Sequence, residues 1–227
     1  MISRQQAWID IALALLLVGI STIAVRLVSR AIIENRFSFL LVLQGVIILL
    51  GLRFLLVIRG QSWRHLGLGV FFLKDFGRIL LVFFSCIGAN IVLTTGVSAI
   101  DPQLLKQHLN QLQFIADQFS DEISFIGIAA MMFFVGVYEE IMARGFLLNR
   151  CQIALGSRWK SILLSSFLFG LGHLYQGWIG VVQTTLFGIV LALFTSYWGT
   201  LWPGIFAHAL MNTLSLAVLA YFTNGYL

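Results

Sequence analysis

Apolar runs long enough to cross a bilayer, or nearly so, recur along this chain; a spanning helix needs about 20 such residues. They lie near residues 8–27, 37–58, 76–98, 123–148, 161–175, 178–198 and 204–222. Inside lipid every backbone N–H and C=O must find a partner within its own segment, so runs of this kind form helices. The expected fold is therefore all-α, a polytopic transmembrane helix bundle of about seven spans that fills residues 1–227 as one membrane domain. Composition agrees: 59% of the residues are hydrophobic and 10% charged, with mean hydropathy +0.96. A soluble domain carries about 25% charge. The first run is too long for a signal-peptide core and reads as a retained span.

Residues 101–122 differ in kind. Leu104, Leu105, Leu109, Leu112, Ile115 and Phe119 recur at helical spacing, and Gln, Asn and Asp fill the other face. This predicts an amphipathic helix that lies on the interface or folds over the bundle. His108 within it reads as an ordinary exposed histidine.

Net charge is +5, but no basic tract with interleaved aromatics is present, so the partner is the lipid bilayer and no nucleic acid is expected. Cys86 lies in an apolar run and Cys151 in a basic loop, with no CxxC pattern and no disulfide framework. Loop cations set orientation. Arg4, Arg59, Arg64, Lys74, Arg78, Arg150, Arg158 and Lys160 fall on one side, against Arg26, Arg30, Arg36 and Lys106 on the other. This predicts a cytoplasmic N-terminus and an outside C-terminus.

The chemistry gathers in three places. Fourteen uncharged residues, Phe125 to Tyr138, run up to the adjacent carboxylates Glu139 and Glu140, and Arg144 follows. An ionised group near the bilayer centre costs at least about 2.5–3.5 kcal/mol, so a buried pair points to function. Phe169 and His173 form a second pair, His208 and Asn212 a third, each with its members one helical turn apart. Glu140 is spaced to pair with Arg144. Glu139 points about 100° away from it, free to face a cavity. A desolvated carboxylate suits a general base, a histidine can orient water, and an imidazole with an amide can donate to an oxyanion. The set reads as a water-activating hydrolase site. HExxH is absent, yet one Glu and two His can also hold zinc with an open position. Span 4 must stay helical to about residue 148 for Glu139 and His173 to reach the same depth.

The ordered motifs EEIMAR, FGLGH and HALMN resemble those of the CAAX prenyl protease and bacteriocin-processing family (CPBP, also called Abi) over about residues 120–222. Ala143 stands where many members have a bulky aromatic. The resemblance implies an intramembrane endopeptidase acting on membrane-associated, possibly prenylated, peptide or protein substrates. It assigns water activation to Glu139 and His173, the oxyanion site to His208 and Asn212, and supporting roles to Glu140 and Arg144. Asn212 is a poor zinc ligand and a good donor, which favours a metal-free site. The alternative is zinc on Glu139, His173 and His208. Two other readings of the chain are a non-catalytic immunity or assembly factor on the same scaffold and a proton-coupled transporter.

Overall fold

The computed structural model describes residues 2–31, 37–120 and 124–223. Arg36 and the junction at 121–123, where the fourth span was expected to begin, lie outside the described residues.

The described elements are helical: α1 (Arg4–Ala31), α2 (Phe37–Ile58), α3 (Asp75–Ile100), α4 (Pro102–Ser120), α5 (Phe125–Glu140), α6 (Leu148–Leu155), α7 (Arg158–Leu171), α8 (Gly177–Trp198) and α9 (Trp202–Thr223), with short 3-10 turns at Trp63–Leu66 and Leu174–Gln176. Residues Ile141–Leu147 join α5 to α6 as π-helix. Six helical segments among the described residues are long and apolar enough to span. The run expected at 161–175 forms a helix of 14 residues, α7. At 1.5 Å per residue it is roughly 21 Å long, shorter than a hydrocarbon core of about 30 Å.

The α5–α6 segment is central. It packs against α2 on one side and α9 on the other, while α7 pairs with α8, and α3 braces α8 and α9. Association of helices in lipid relies on close backbone approach at small residues. Gly136 of α5 meets α9 this way: an added Cβ would lie 3.0 Å from the Ile205 carbonyl and 3.3 Å from the Ala209 nitrogen. Gly170 of α7 meets α8, where an added Cβ would lie 2.7 Å from the Val181 carbonyl and would collide with Thr185 Oγ1.

α4 folds over the bundle. Its Ile115 and Phe119 join the main core cluster with residues of α2, α5 and α9. His108 is not exposed but 5% accessible, with Nε2 3.3 Å from Gln183 Oε1 of α8. The reason is periodicity: His108 falls one turn from Leu104 and from Leu112, on the apolar stripe. Desolvation holds its pKa below the ordinary histidine value despite its bond to the Gln183 oxygen, so the ring docks neutral.

The stretch from Arg150 to Cys151 is also not loop. Both residues are fully buried in α6. Arg150 Nε donates to Asp10 Oδ2 of α1 at 2.8 Å, and Nη2 donates to Gln61 Oε1 at 2.6 Å. Arg59 donates to the same Asp10 through Nη2 at 2.7 Å and Nε at 3.0 Å. One carboxylate thus joins α1, the end of α2 and α6. Arg150 consequently leaves the loop cations that argue orientation.

Two substitutions test this frame. Gly170→Val forces α7 from α8 and should lower stability by roughly 1–3 kcal/mol. Asp10→Asn leaves the buried Arg150 guanidinium and the partly exposed Arg59 without a carboxylate, an expected loss of about 3–5 kcal/mol. Thermal unfolding of the detergent-solubilised protein reads both, and unchanged midpoints would contradict the packing described.

Candidate active site

The helix carrying Glu139 and Glu140 does not stop there. α5, the π segment and α6 run on as one 31-residue helix, Phe125–Leu155. Every residue from Ile141 to Leu147 is buried, because this stretch passes through the middle of the bundle with neighbours on all sides. A π turn widens the helix by one residue per turn, and such turns are frequent at functional sites. Here it begins at the residue after Glu140.

Glu140 is fully buried and its Oε1 accepts twice. Arg144 Nη1 donates to it at 2.8 Å, and His208 Nδ1 of α9 lies at 2.9 Å. The guanidinium of Arg144 in turn stacks 4.2 Å above the Phe169 ring of α7, a cation–π contact in a desolvated setting. Phe169 packs against His173 with centroids 4.8 Å apart, and edge-on against His208 at 6.2 Å. His173 lies just past the end of α7, with φ −103° and ψ 19°. Its Nδ1 is 3.1 Å from the Phe169 carbonyl.

These partners assign the rings. A carbonyl and an ionised carboxylate can only accept, so each Nδ1 carries a hydrogen. Both Nε2 atoms then turn toward Glu139 Oε2, at 3.9 Å from His173 and 3.7 Å from His208. That oxygen is buried without a hydrogen-bond partner. Its mate Oε1 lies 3.4 Å from the Tyr138 hydroxyl, and the side chain as a whole is 18% exposed. Asn212 lies one turn after His208 on α9, half-buried, and its amide has no hydrogen-bond partner among the described residues.

The structure therefore brings Glu139, His173 and His208 together around one gap, with Glu140, Arg144 and Phe169 behind them. The separations are too long for direct hydrogen bonds. A water at about 2.8 Å from each group fits. Zinc fits less well. Ligands at about 2.0–2.1 Å in a tetrahedron lie roughly 3.3 Å apart, and these groups are wider by several tenths of an ångström. Among the described residues no group of three or more His, Cys, Asp or Glu is arranged to hold a metal ion.

Residues 121–214 match the family model described as Rce1-like, type II CAAX prenyl endopeptidase. This region belongs to the CAAX protease family. No curated protein and no solved structure matches the chain. The CAAX protease region contains all six charged or polar motif residues, whereas α1 to α4 lie outside it. The six apolar helices, together with this regional match, support an integral, multi-pass membrane protein.

Sequence reasoning singled out Glu139, Glu140, Arg144, His173, His208 and Asn212 but gave Phe169 no role beyond its motif. Its spacing one turn before His173 was the available signal. Nothing in the sequence announced that Glu140 would hold His208 as well as Arg144, because that contact joins residues 68 apart. Tyr138 carried no signal except adjacency to Glu139.

Phe169→Leu removes the ring between the guanidinium and both imidazoles. Turnover should fall by roughly tenfold, from the loss of one desolvated cation–π contact. Glu140→Gln should cost more than Glu140→Asp, because only a carboxylate both pairs with Arg144 and accepts from His208. A peptidase assay in detergent, with binding and turnover separated, checks both; equal losses in the Glu140 variants would remove the orienting role.

Proposed function

We propose that this chain cleaves peptide bonds of membrane-associated substrates, prenylated ones included, by a water that Glu139 and His173 activate. The observation that carries this reading is the partnerless Glu139 Oε2 facing two Nε2 atoms across a water-sized gap. The water donates one hydrogen to Glu139 Oε2 and one to His173 Nε2. Its oxygen attacks the scissile carbonyl carbon as Glu139 takes the proton. The carbonyl electron pair moves onto oxygen, where His208 Nε2–H and the Asn212 amide donate to the negative charge. Collapse breaks the C–N bond, and Glu139 returns its proton to the leaving nitrogen.

For His208 to donate through Nε2 its ring must carry both hydrogens. Charge balance supports this. Glu139, Glu140 and Arg144 sum to one negative charge, so a proton on His208 makes the buried group neutral. Glu140 Oε1 lies against Nδ1 of that ring at 2.9 Å. The scheme needs no metal, consistent with the spacing of the three groups.

Position in the membrane supports a site opening toward the N-terminal side. His208 comes six residues after Trp202, where α9 begins on that side, roughly 9 Å along the helix. The cation bias, now without Arg150, still favours an N-terminus in the cytoplasm and a C-terminus outside.

The test is a peptidase assay on the purified chain in lipid nanodiscs, with farnesylated and unmodified versions of one peptide. Glu139→Gln and His173→Ala should each lower turnover by at least about 100-fold, and Asn212→Ala by a comparable factor. Cleavage by Glu139→Gln at the parent rate would sink the mechanism. Zinc in stoichiometric amount, lost together with activity in His173→Ala and His208→Ala, would replace the metal-free scheme.

A further inference from the structure

A second concave site, of about 380 Å³, lies where α1 begins and α2 ends, lined by Ile2, Gln6, Ile58, Arg59, Gln61 and His65 among others. The polar side chains of this wall have their acceptors occupied and their donors free. Gln6 Oε1 accepts the Ser3 N–H at 2.9 Å, and Gln61 Oε1 accepts Arg150 Nη2 at 2.6 Å. His65 Nδ1 accepts the Ser62 backbone N–H at 3.1 Å, which leaves the ring hydrogen on Nε2. Arg59 spends Nε and Nη2 on Asp10. What remains without a protein partner among the described residues is the amide nitrogens of Gln6 and Gln61, His65 Nε2–H and Arg59 Nη1. All are donors.

Charge points the same way. Asp10 is one negative charge against two positive ones, Arg59 and Arg150, with Asp10 and Arg150 buried and Arg59 19% exposed. The cluster holds one unanswered positive charge, and its exposed member borders the cavity. The apolar part of the lining leads outward: Ile58 is 58% exposed and Phe54, one turn earlier on α2, 66% exposed. In a multi-pass membrane protein that surface meets lipid.

We propose that this cavity binds a phosphate-bearing anion, and that the ligand is the headgroup of an anionic phospholipid. Arg59 Nη1 supplies the charge-assisted bond, and the two amides and His65 Nε2–H take the remaining oxygens. Ile58 and Phe54 lie along the path of an acyl chain.

Native mass spectrometry of the full chain from detergent tests this, comparing phosphatidylglycerol with phosphatidylcholine of the same acyl chains, with and without inorganic phosphate. Wild-type protein should retain the anionic lipid about tenfold over the zwitterionic one. Gln6→Glu preserves acceptance from Ser3 N–H while placing a negative charge on the wall, and should lower that retention about tenfold. His65→Ala should lower it in the same direction; neither change touches the Asp10 network, and unchanged unfolding midpoints establish that the fold is intact. Equal retention of the two lipids, or wild-type retention by both variants, overturns the proposal. Displacement of the lipid by millimolar inorganic phosphate upholds the anion site and overturns its assignment to lipid.

Discussion

Glu140 Oε1 receives Arg144 Nη1 at 2.8 Å and His208 Nδ1 at 2.9 Å, inside a fully buried carboxylate. A lone buried charge is strongly disfavoured, and a pair survives only with good geometry and further hydrogen bonds. Here the carboxylate receives both from different elements. Arg144 extends the line to the Phe169 ring, and the Phe169 carbonyl holds His173 Nδ1. The two histidines are therefore positioned through one continuous path, His208–Glu140–Arg144–Phe169–His173, that encircles Glu139. Glu139 itself takes no part in that path, which leaves its Oε2 free to face the gap.

Backbone packing sets the reach of that path. Gly136 lies one turn before Glu140 and lets α9 approach α5 closely. On the facing helix, Gly204 lies one turn before His208, where an added Cβ would sit 3.2 Å from Glu140 Oε2. The missing side chains make room for a carboxylate and an imidazole to meet between two helices. The π turn then carries Arg144 through a fully surrounded stretch while the helix continues to Leu155.

Much of this was legible in the sequence because hydropathy and helical spacing are local. The apolar runs gave the helices, and E-x-x-x-R gave the Glu140–Arg144 pair. The need to align Glu139 with His173 calls for a helix to about residue 148, and the helix runs on to Leu155. What stayed hidden depends on distant partners. Asp10 drew no notice as a single acid in the first span, because Arg59 and Arg150 lie 49 and 140 residues away in sequence. Arg150 looked like a loop cation for the same reason. His108 reads as exposed for another reason: a lone histidine without a nearby ligand gives no sign of burial, although it falls on the stripe that docks α4. The π turn carries no periodic signature, since one inserted residue in seven does not disturb a run that is buried on every side.

The two buried charge clusters share a logic despite opposite signs. Around Glu139 the chain supplies two carboxylates and one guanidinium, with two histidines beside them. Around Asp10 it supplies one carboxylate and two guanidiniums. A bundle built only for stability gains little from buried ion pairs, since apolar side chains of like volume do as well. It gains nothing from leaving a cluster one charge short. An uncompensated cluster is stable only when something outside the fixed side chains answers it, and the groups left free in each place say what that is. In the proposed reaction the free Glu139 Oε2 offers lone pairs, which call for hydrogens: a water and a proton. At Asp10 the free groups are N–H donors beside a guanidinium, which call for an anion. The imbalance in each cluster thus specifies its ligand by charge, and the unused donors or acceptors specify it by hydrogen bonding.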